Sequence, residues 1–271
     1  MNPRKLTLLF VILLLGCEEK IEDDYIGSGS DLIVVEGIIT NQNEIHTIKL
    51  SKPYSNINGE PIPVVADTII ITDQENFYGL TQETIGSGIY KSPPFRAVFG
   101  RLYILYFVVD GKEYYAFDSP PPGQLLSELK LELHSDEPGE DYSIQFIDDG
   151  TDPNYVEYLI DWSDTESCAF ASNCNARIIH YDLKTVDVHE IYQPEKEKVT
   201  FPIGSTIVRK RFAISNRYQE YLRSILSETE WRGGIFDIEH ANAITNLSEG
   251  AIGFFCGNNG RYGYFNCREL M

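Results

Sequence analysis

The chain has 271 residues and carries 41 Asp and Glu against 22 Lys and Arg, a formal charge of −19. So acidic a surface repels phosphate backbones and anionic bilayers, which excludes nucleic-acid binding as a function class. With 17 Tyr, 14 Phe, only two Trp and recurrent β-branched runs, the composition favours sheet over helix, and the length allows two domains.

Arg4 and Lys5 precede an apolar run over residues 6–15, broken only by Thr7, and Leu14-Leu15-Gly16-Cys17 closes it. Ten helical residues reach only about 15 Å, half of a hydrocarbon core of roughly 30 Å. A basic start, a short apolar core, a small residue and a cysteine is the order of a bacterial lipoprotein signal peptide. Residues 1–16 are therefore read as a removable leader and Cys17 as the lipid attachment point, with diacylglycerol on its sulfur and a palmitate-type chain on its amine. Two or more such chains anchor stably, whereas one binds reversibly. Loss of Arg4 and Lys5 with the leader takes the charge from −19 to −21.

Glu18, Glu19, Glu22, Asp23 and Asp24 follow at once, then Gly27-Ser28-Gly29-Ser30, making residues 17–30 an acidic flexible tether. An acidic cluster directly after the lipidated cysteine resembles the surface-export signal of Bacteroidota lipoproteins. The alternative is a solvated spacer that holds off anionic head groups.

Strands are predicted over residues 32–39, 46–52, 67–72, 77–82, 88–91, 101–109 and 113–117, the last two joined by Asp110-Gly111. Short strands with turn signals between them predict a β-sandwich over residues 31–118. The unbroken apolar run 102–109 predicts a central strand covered on both faces. Ser119-Pro120-Pro121-Pro122-Gly123 cannot sustain a ladder and marks a boundary, the alternative being an edge loop within one domain.

Residues 124–271 then read as a second, β-rich domain. Leu129, Leu131 and Leu133 alternate with polar residues, Ile144 and Phe146 continue the habit, and Val156, Tyr158, Ile160 and Trp162 share a face. Further strands are predicted over 177–183 and 207–214. One amphipathic helix is predicted over 216–229, with Tyr218, Tyr221, Leu222, Ile225 and Leu226 on one stripe, Ser215 as its cap and Gly233-Gly234 beyond its end. Residues 251–256 and 261–267 read as closing strands around an Asn259-Gly260 turn.

Four cysteines remain: Cys168, Cys174, Cys256 and Cys267. An even number in an exported chain predicts disulfides, with three connectivities open. The nearest-neighbour choice is Cys168–Cys174 with Cys256–Cys267. A two-residue Asn259-Gly260 turn would set Cys256 opposite Gly263, so either the turn is longer or these cysteines pair with Cys168 and Cys174. The spacings do not match structural zinc.

No nucleophile elbow, zinc-protease helix or phosphate-binding loop occurs, no cofactor is implied, and no catalysis is expected. His180 and His189 lie near Asp182, Asp187 and Glu190, which makes either a small metal site or a solvated hairpin. Asp148, Asp149 and Asp152 around Gly150 are calcium-type ligands without the EF-hand spacing, and an ordinary turn explains them equally. Tyr114-Tyr115 and Tyr262-Gly263-Tyr264-Phe265 offer a glycan platform, although alternate strand residues must bury.

The leader, Leu32-Ile33-Val34-Val35-Glu36-Gly37-Ile38-Ile39-Thr40-Asn41, His46-Thr47-Ile48-Lys49-Leu50-Ser51, Gly88-Ile89-Tyr90 and Gly100-Arg101-Leu102-Tyr103 come in a telling order. Asp152-Pro153 before a Tyr-rich strand ending at Trp162, and the helix before Gly233-Gly234-Ile235-Phe236-Asp237, complete it. Together they resemble the uncharacterised Bacteroidota outer-membrane lipoprotein family known as domain of unknown function 4249. That resemblance implies a mainly β protein, with an N-terminal immunoglobulin- or transthyretin-like β-sandwich followed by a β-rich domain with one amphipathic helix. It brings no catalytic residues. Its members often stand alongside TonB-dependent transporters, which implies a partner. The chain departs from the family in its cysteine-containing Gly/Tyr end.

The expected protein is a non-catalytic lipoprotein, lipid-anchored in the outer membrane and facing the cell exterior. It would be the accessory or ligand-delivery partner of a TonB-dependent transporter, with a glycan or peptide as ligand. A stand-alone adhesin or glycan-binding module is the alternative, and a surface hydrolase a remote one.

Overall fold

The computed structural model describes residues 31–54, 59–134, 141–146, 152–170, 173–183, 198–229 and 244–269. The chain is mainly β. Its first strands are β1 (Ile33–Thr40), β2 (Thr47–Ser51), β3 (Thr68–Thr72), β4 (Phe77–Gly79), β5 (Thr81–Gln82), β6 (Ile89–Lys91), β7 (Tyr103–Val109) and β8 (Lys112–Asp118). There follow β9 (Lys130–Leu133), β10 (Asp141–Gln145), β11 (Asn154–Asp161), β12 (Asn175–Asp182), β13 (Phe201–Pro202), β14 (Thr206–Ala213), helix α1 (Asn216–Thr229) and β15 (Ala251–Asn266).

An eight-stranded sheet, ordered β12-β11-β14-β15-β1-β2-β6-β5, forms the spine. One of its faces packs on both smaller sheets. Against β4-β3-β7-β8 it buries Ile33, Val35, Ile48 and Leu50 beside Ile71, Leu105 and Phe107. Against β13-β10-β9 it buries Val156, Tyr158, Ile160 and Ile207 beside Leu129, Tyr142 and Phe201. The period-2 alternation of these strands produces both cores, each fully buried Ile, Leu or Phe contributing about 2 kcal/mol by the area rule.

Asp110 and Gly111 turn β7 into β8 with φ of 50° and 74°, the left-handed pair that a tight hairpin requires. β7 is central, between β3 and β8, but it is packed on one face only. Tyr103, Leu105, Phe107 and Val109 are buried, while the opposite face is half-buried, with no layer of described residues over it. This corrects the expectation that both faces would be covered.

β15 joins the two parts of the chain. Residues 251–258 pair in parallel with β1, and residues 259–266 pair antiparallel with β14. The expected pair of closing strands around Asn259-Gly260 is thus a single continuous strand. Where β1 ends, the Asn41 side chain takes over its ladder: the Gly260 N–H donates to Asn41 Oδ1 at 2.8 Å and Asn41 Nδ2 donates to the Gly260 carbonyl at 3.1 Å. The glycine serves close packing rather than a turn, since a Cβ there would lie 3.0 Å from the Phe212 ring.

The proline segment is laid along the C-terminal half of the spine and held by side chains. Asn259 Nδ2 donates to the Pro121 carbonyl at 3.1 Å, buried Arg211 donates to the Leu125 carbonyl at 3.0 Å, and buried Arg209 donates to the Ser127 carbonyl. Carbonyls without ladder partners are thereby satisfied.

Helix α1 begins as expected. The Tyr218 N–H donates to Ser215 Oγ at 3.2 Å, and Tyr218, Leu222 and Leu226 bury against Phe254 and Cys256 on the spine's other face.

Candidate functional site

Beside α1, no further layer of described residues covers this second face of the spine. β1, β2, β11, β14 and the loop 41–46 enclose a groove of about 430 Å³. Its floor is aromatic. Tyr155 and Phe212 are direct cross-strand partners on β11 and β14, and their rings stack at 4.9 Å and 23°. Phe212 in turn faces Gly260 on β15, where the missing side chain leaves room for the ring. Two residues on, Tyr262 meets Phe212 edge to face at 6.0 Å and 71°. Ile38 and Ile45 form the flanks, 38% and 54% exposed.

The charges around this floor differ in their pairing. Glu36 faces Lys49 at 3.6 Å. Glu157 is held by Arg177 at 2.6 Å and Lys210 at 3.2 Å; burial alone would raise its carboxyl, but these cations outweigh it and lower it. Exposed Glu44 accepts a bond from the Thr40 hydroxyl and has no basic partner among the described residues. His46, beneath it, is buried and its Nε2–H donates to the Phe95 carbonyl at 3.0 Å. Burial pushes its imidazole below the ordinary value, so it is neutral at pH 7 and does not offset Glu44. Burial, and then the charges of Glu44 and Glu157, push the Tyr262 phenol up to about 12, so its ring also stays neutral.

The residues singled out in the sequence lie elsewhere. Cys17, Glu18, Glu19, Glu22, Asp23 and Asp24 fall outside the described residues, as do Asp148, Asp149, Gly150, Asp187, His189, Glu190, Gly233 and Gly234. Asp152 is exposed, and its carbonyl accepts bonds from Gln124 and Asn154. His180 stacks on Phe146 at 4.5 Å, and Asp182 accepts a bond from Asn154 at 3.0 Å. Among the described residues no group of three or more His, Cys, Asp or Glu gathers as a metal site would.

Cys168 and Cys174 form a disulfide with Cα atoms 5.5 Å apart. The companion pair Cys256–Cys267 does not form; both are buried free thiols. The unbroken β15 explains this, since eleven extended residues separate their Cα atoms by roughly 35 Å along the strand. Cys267 instead joins the core beneath β10 and β11, and Cys256 the one beneath α1.

The aromatic platform divides by strand alternation. Tyr114 is buried and Phe265 packs into a core, whereas Tyr115 and Tyr264 are 53% and 78% exposed. Tyr262 packs edge to face on Phe212, outside the lining of the groove. The groove residues escape a reading of local pattern, because β1 and β2 are far along the chain from β11 and β14. One signal is present: Tyr155 and Phe212 are aromatic at the alternate positions of strands whose other face already supplies the core.

A family model described as Domain of unknown function (DUF4249) matches residues 18–261. No curated protein matches the chain.

Proposed function

The chain belongs to the DUF4249 family, and from that premise we propose that it is a non-catalytic, lipid-anchored surface protein of the outer membrane that serves a TonB-dependent transporter as accessory or ligand-delivery partner. The observation that carries the reading is the position of the family match. It opens at residue 18, directly after Cys17, which supports reading the apolar run before the cysteine as a leader. Glu18 to Ser30 then supply a tether between the lipid and β1. Tethering acts by raising the effective concentration of ligand or partner beside the pore.

The described architecture supports a binding role over a catalytic one. Its buried ionisable groups hold the fold together: Asp73 binds Arg101 at 2.7 Å, and Asp118 accepts bonds from Gly257 and Ser215. The exposed side chains of Ile38 and Ile45 at the groove offer a partner apolar surface. A stand-alone glycan-binding module is the second reading, favoured by the exposed rings of Tyr115 and Tyr264.

Cys17→Ser tests the anchoring on which this function depends. The variant is expected to accumulate as the longer precursor, without the mass of the lipid chains. A mass showing wild-type processing and lipidation would contradict the anchor.

A further inference from the structure

We propose that the outer face of the β4-β3-β7-β8 sheet docks a short amphipathic helix of a partner polypeptide, its N-terminus toward Glu113 and its C-terminus toward Arg217. The inference deepens the reading of the chain as a transporter's partner and rests on it.

Strand register builds the face. Phe77, Ile104 and Phe117 stand in one row across β4, β7 and β8, and Ile70, Tyr106 and Tyr115 stand in the next, across β3, β7 and β8. All point away from the core that the inner face makes with the spine. An antiparallel sheet with one face in water alternates apolar and polar residues, whereas this one is apolar on both faces. Phe77 is 71% exposed and Tyr115 53%. Glu113 is the one charged residue at the described outward strand positions. A continuous apolar patch of this kind on so acidic a chain marks a binding surface.

Size, edges and charge select the occupant. Four strands about 4.8 Å apart and three rows about 6.8 Å apart make a face of about 400 Å². Each partner of a stable homodimer buries about 800 Å², and two chains at −19 repel one another, so a second copy does not fit. The edges do not invite an added strand. β4 has only three residues, and at the β8 edge the Ser248 N–H donates to the Tyr115 carbonyl at 2.9 Å while Leu247 bridges to Ala116. Ile70 and Ile104, near the centre of the face, offer a sugar no hydrogen bonds and suit apolar side chains. A helix about 10 Å wide and three turns long, about 16 Å, covers the face. In the same manner α1 lays its apolar stripe on the spine. Charge then orients the helix. Glu113 and Phe117 lie about 13 Å apart along β8, and the Arg217 guanidinium stands over the Phe117 ring at 5.1 Å. A carboxylate at one end and a cation at the other complement the dipole of a helix laid between them.

The place of this sheet suits a membrane-resident partner. The Ile33 N–H, where β1 begins, donates to the Gly250 carbonyl at 3.1 Å, and Ser248 is bonded to β8. A lipid tether that ends at β1 therefore enters the fold beside this sheet.

The test puts p-benzoyl-phenylalanine in place of Tyr115, of Phe77 and, as control, of Ile85, which is 98% exposed between β5 and β6, in the tagged full chain in its own cells. Irradiation is expected to link the first two, but not the third, to one partner segment whose apolar residues recur at three- and four-residue spacing. Tyr115→Glu, at an exposed position, should lower recovery of that partner at least about tenfold with an unchanged melting temperature. Linkage to lipid, to a second copy, to another segment of the same chain or to a segment without that spacing overturns the proposal. So does absence of linkage from Tyr115 and Phe77, or full recovery by folded Tyr115→Glu. The proposal and the transporter reading fail separately. A transporter recovered equally by Tyr115→Glu overturns the docking face alone, and linkage to an amphipathic helix of a polypeptide that is no transporter upholds the face and overturns the transporter.

Discussion

Gly253→Ala is expected to destabilise the protein by about 4 kcal/mol or more, a large share of the roughly 5–15 kcal/mol that holds an ordinary domain folded. Gly253 sits in β15 directly opposite Val35 of β1, with φ at +97°, a conformation that L side chains rarely adopt. A Cβ there would stand 2.1 Å from the Val35 carbonyl oxygen and 3.0 Å from two further Val35 backbone atoms. No side-chain rotation relieves a clash with backbone, so β1 must move off β15. That ladder also joins the first part of the chain to the last, and the damage should therefore spread to both cores. Gly79→Ala is the control: its Cβ would enter open space, and the change should stay within about 0.5 kcal/mol. Urea unfolding midpoints of the three proteins check both values. A folded Gly253→Ala chain with a wild-type midpoint would mean that β1 and β15 are not paired in this register.

Asp118→Ala is expected to cost about 3 kcal/mol. Asp118 ends β8, is buried, and its Oδ2 accepts from the Gly257 N–H at 3.0 Å and the Ser215 hydroxyl at 3.1 Å. One carboxylate thus ties the first sheet to β15 and to the cap of α1. Alanine leaves the Gly257 N–H buried without an acceptor, whereas asparagine retains an oxygen and should lose about half as much. The pH dependence follows from the same burial, which raises the Asp118 carboxyl above its ordinary 3.8 despite its hydrogen bonds. Because the folded value is the higher one, the folded state holds this proton more tightly. The stabilisation from this group is complete below 3.8 and is lost as pH rises through the raised folded value. Asp118→Asn should remove that slope, which chemical unfolding across the acidic range measures. An Asp118→Ala midpoint equal to wild type would show that the carboxylate does not bridge these elements.

What could be read in the sequence was local. Ile48 and Leu50, Ile69 and Ile71, and the alternate residues of 103–109 announce strands because burial on one face repeats every second residue. Asp110-Gly111 announces its hairpin, and Ser215 with the Tyr218–Leu226 stripe announces α1 over residues 216–229, the range observed. What could not be read was non-local. Asn259-Gly260 has the composition of a turn, yet Gly260 is small to admit the Phe212 ring, and its backbone is paired by an asparagine 219 residues away. The parallel pairing of β1 with β15 leaves no periodic trace in either strand. The pairing of Cys256 with Cys267 was suggested by their nearness in the chain, and the continuous β15 strand holds them apart as free thiols. The groove was hidden for a related reason: Glu44, Tyr155 and Phe212 become neighbours only through sheet order.

The most direct test of the account is recovery of the tagged chain from its own outer membrane in mild detergent, read by mass spectrometry. The account predicts a TonB-dependent transporter in stoichiometric amount. Recovery of the chain alone, in detergent that keeps other membrane complexes intact, would contradict it.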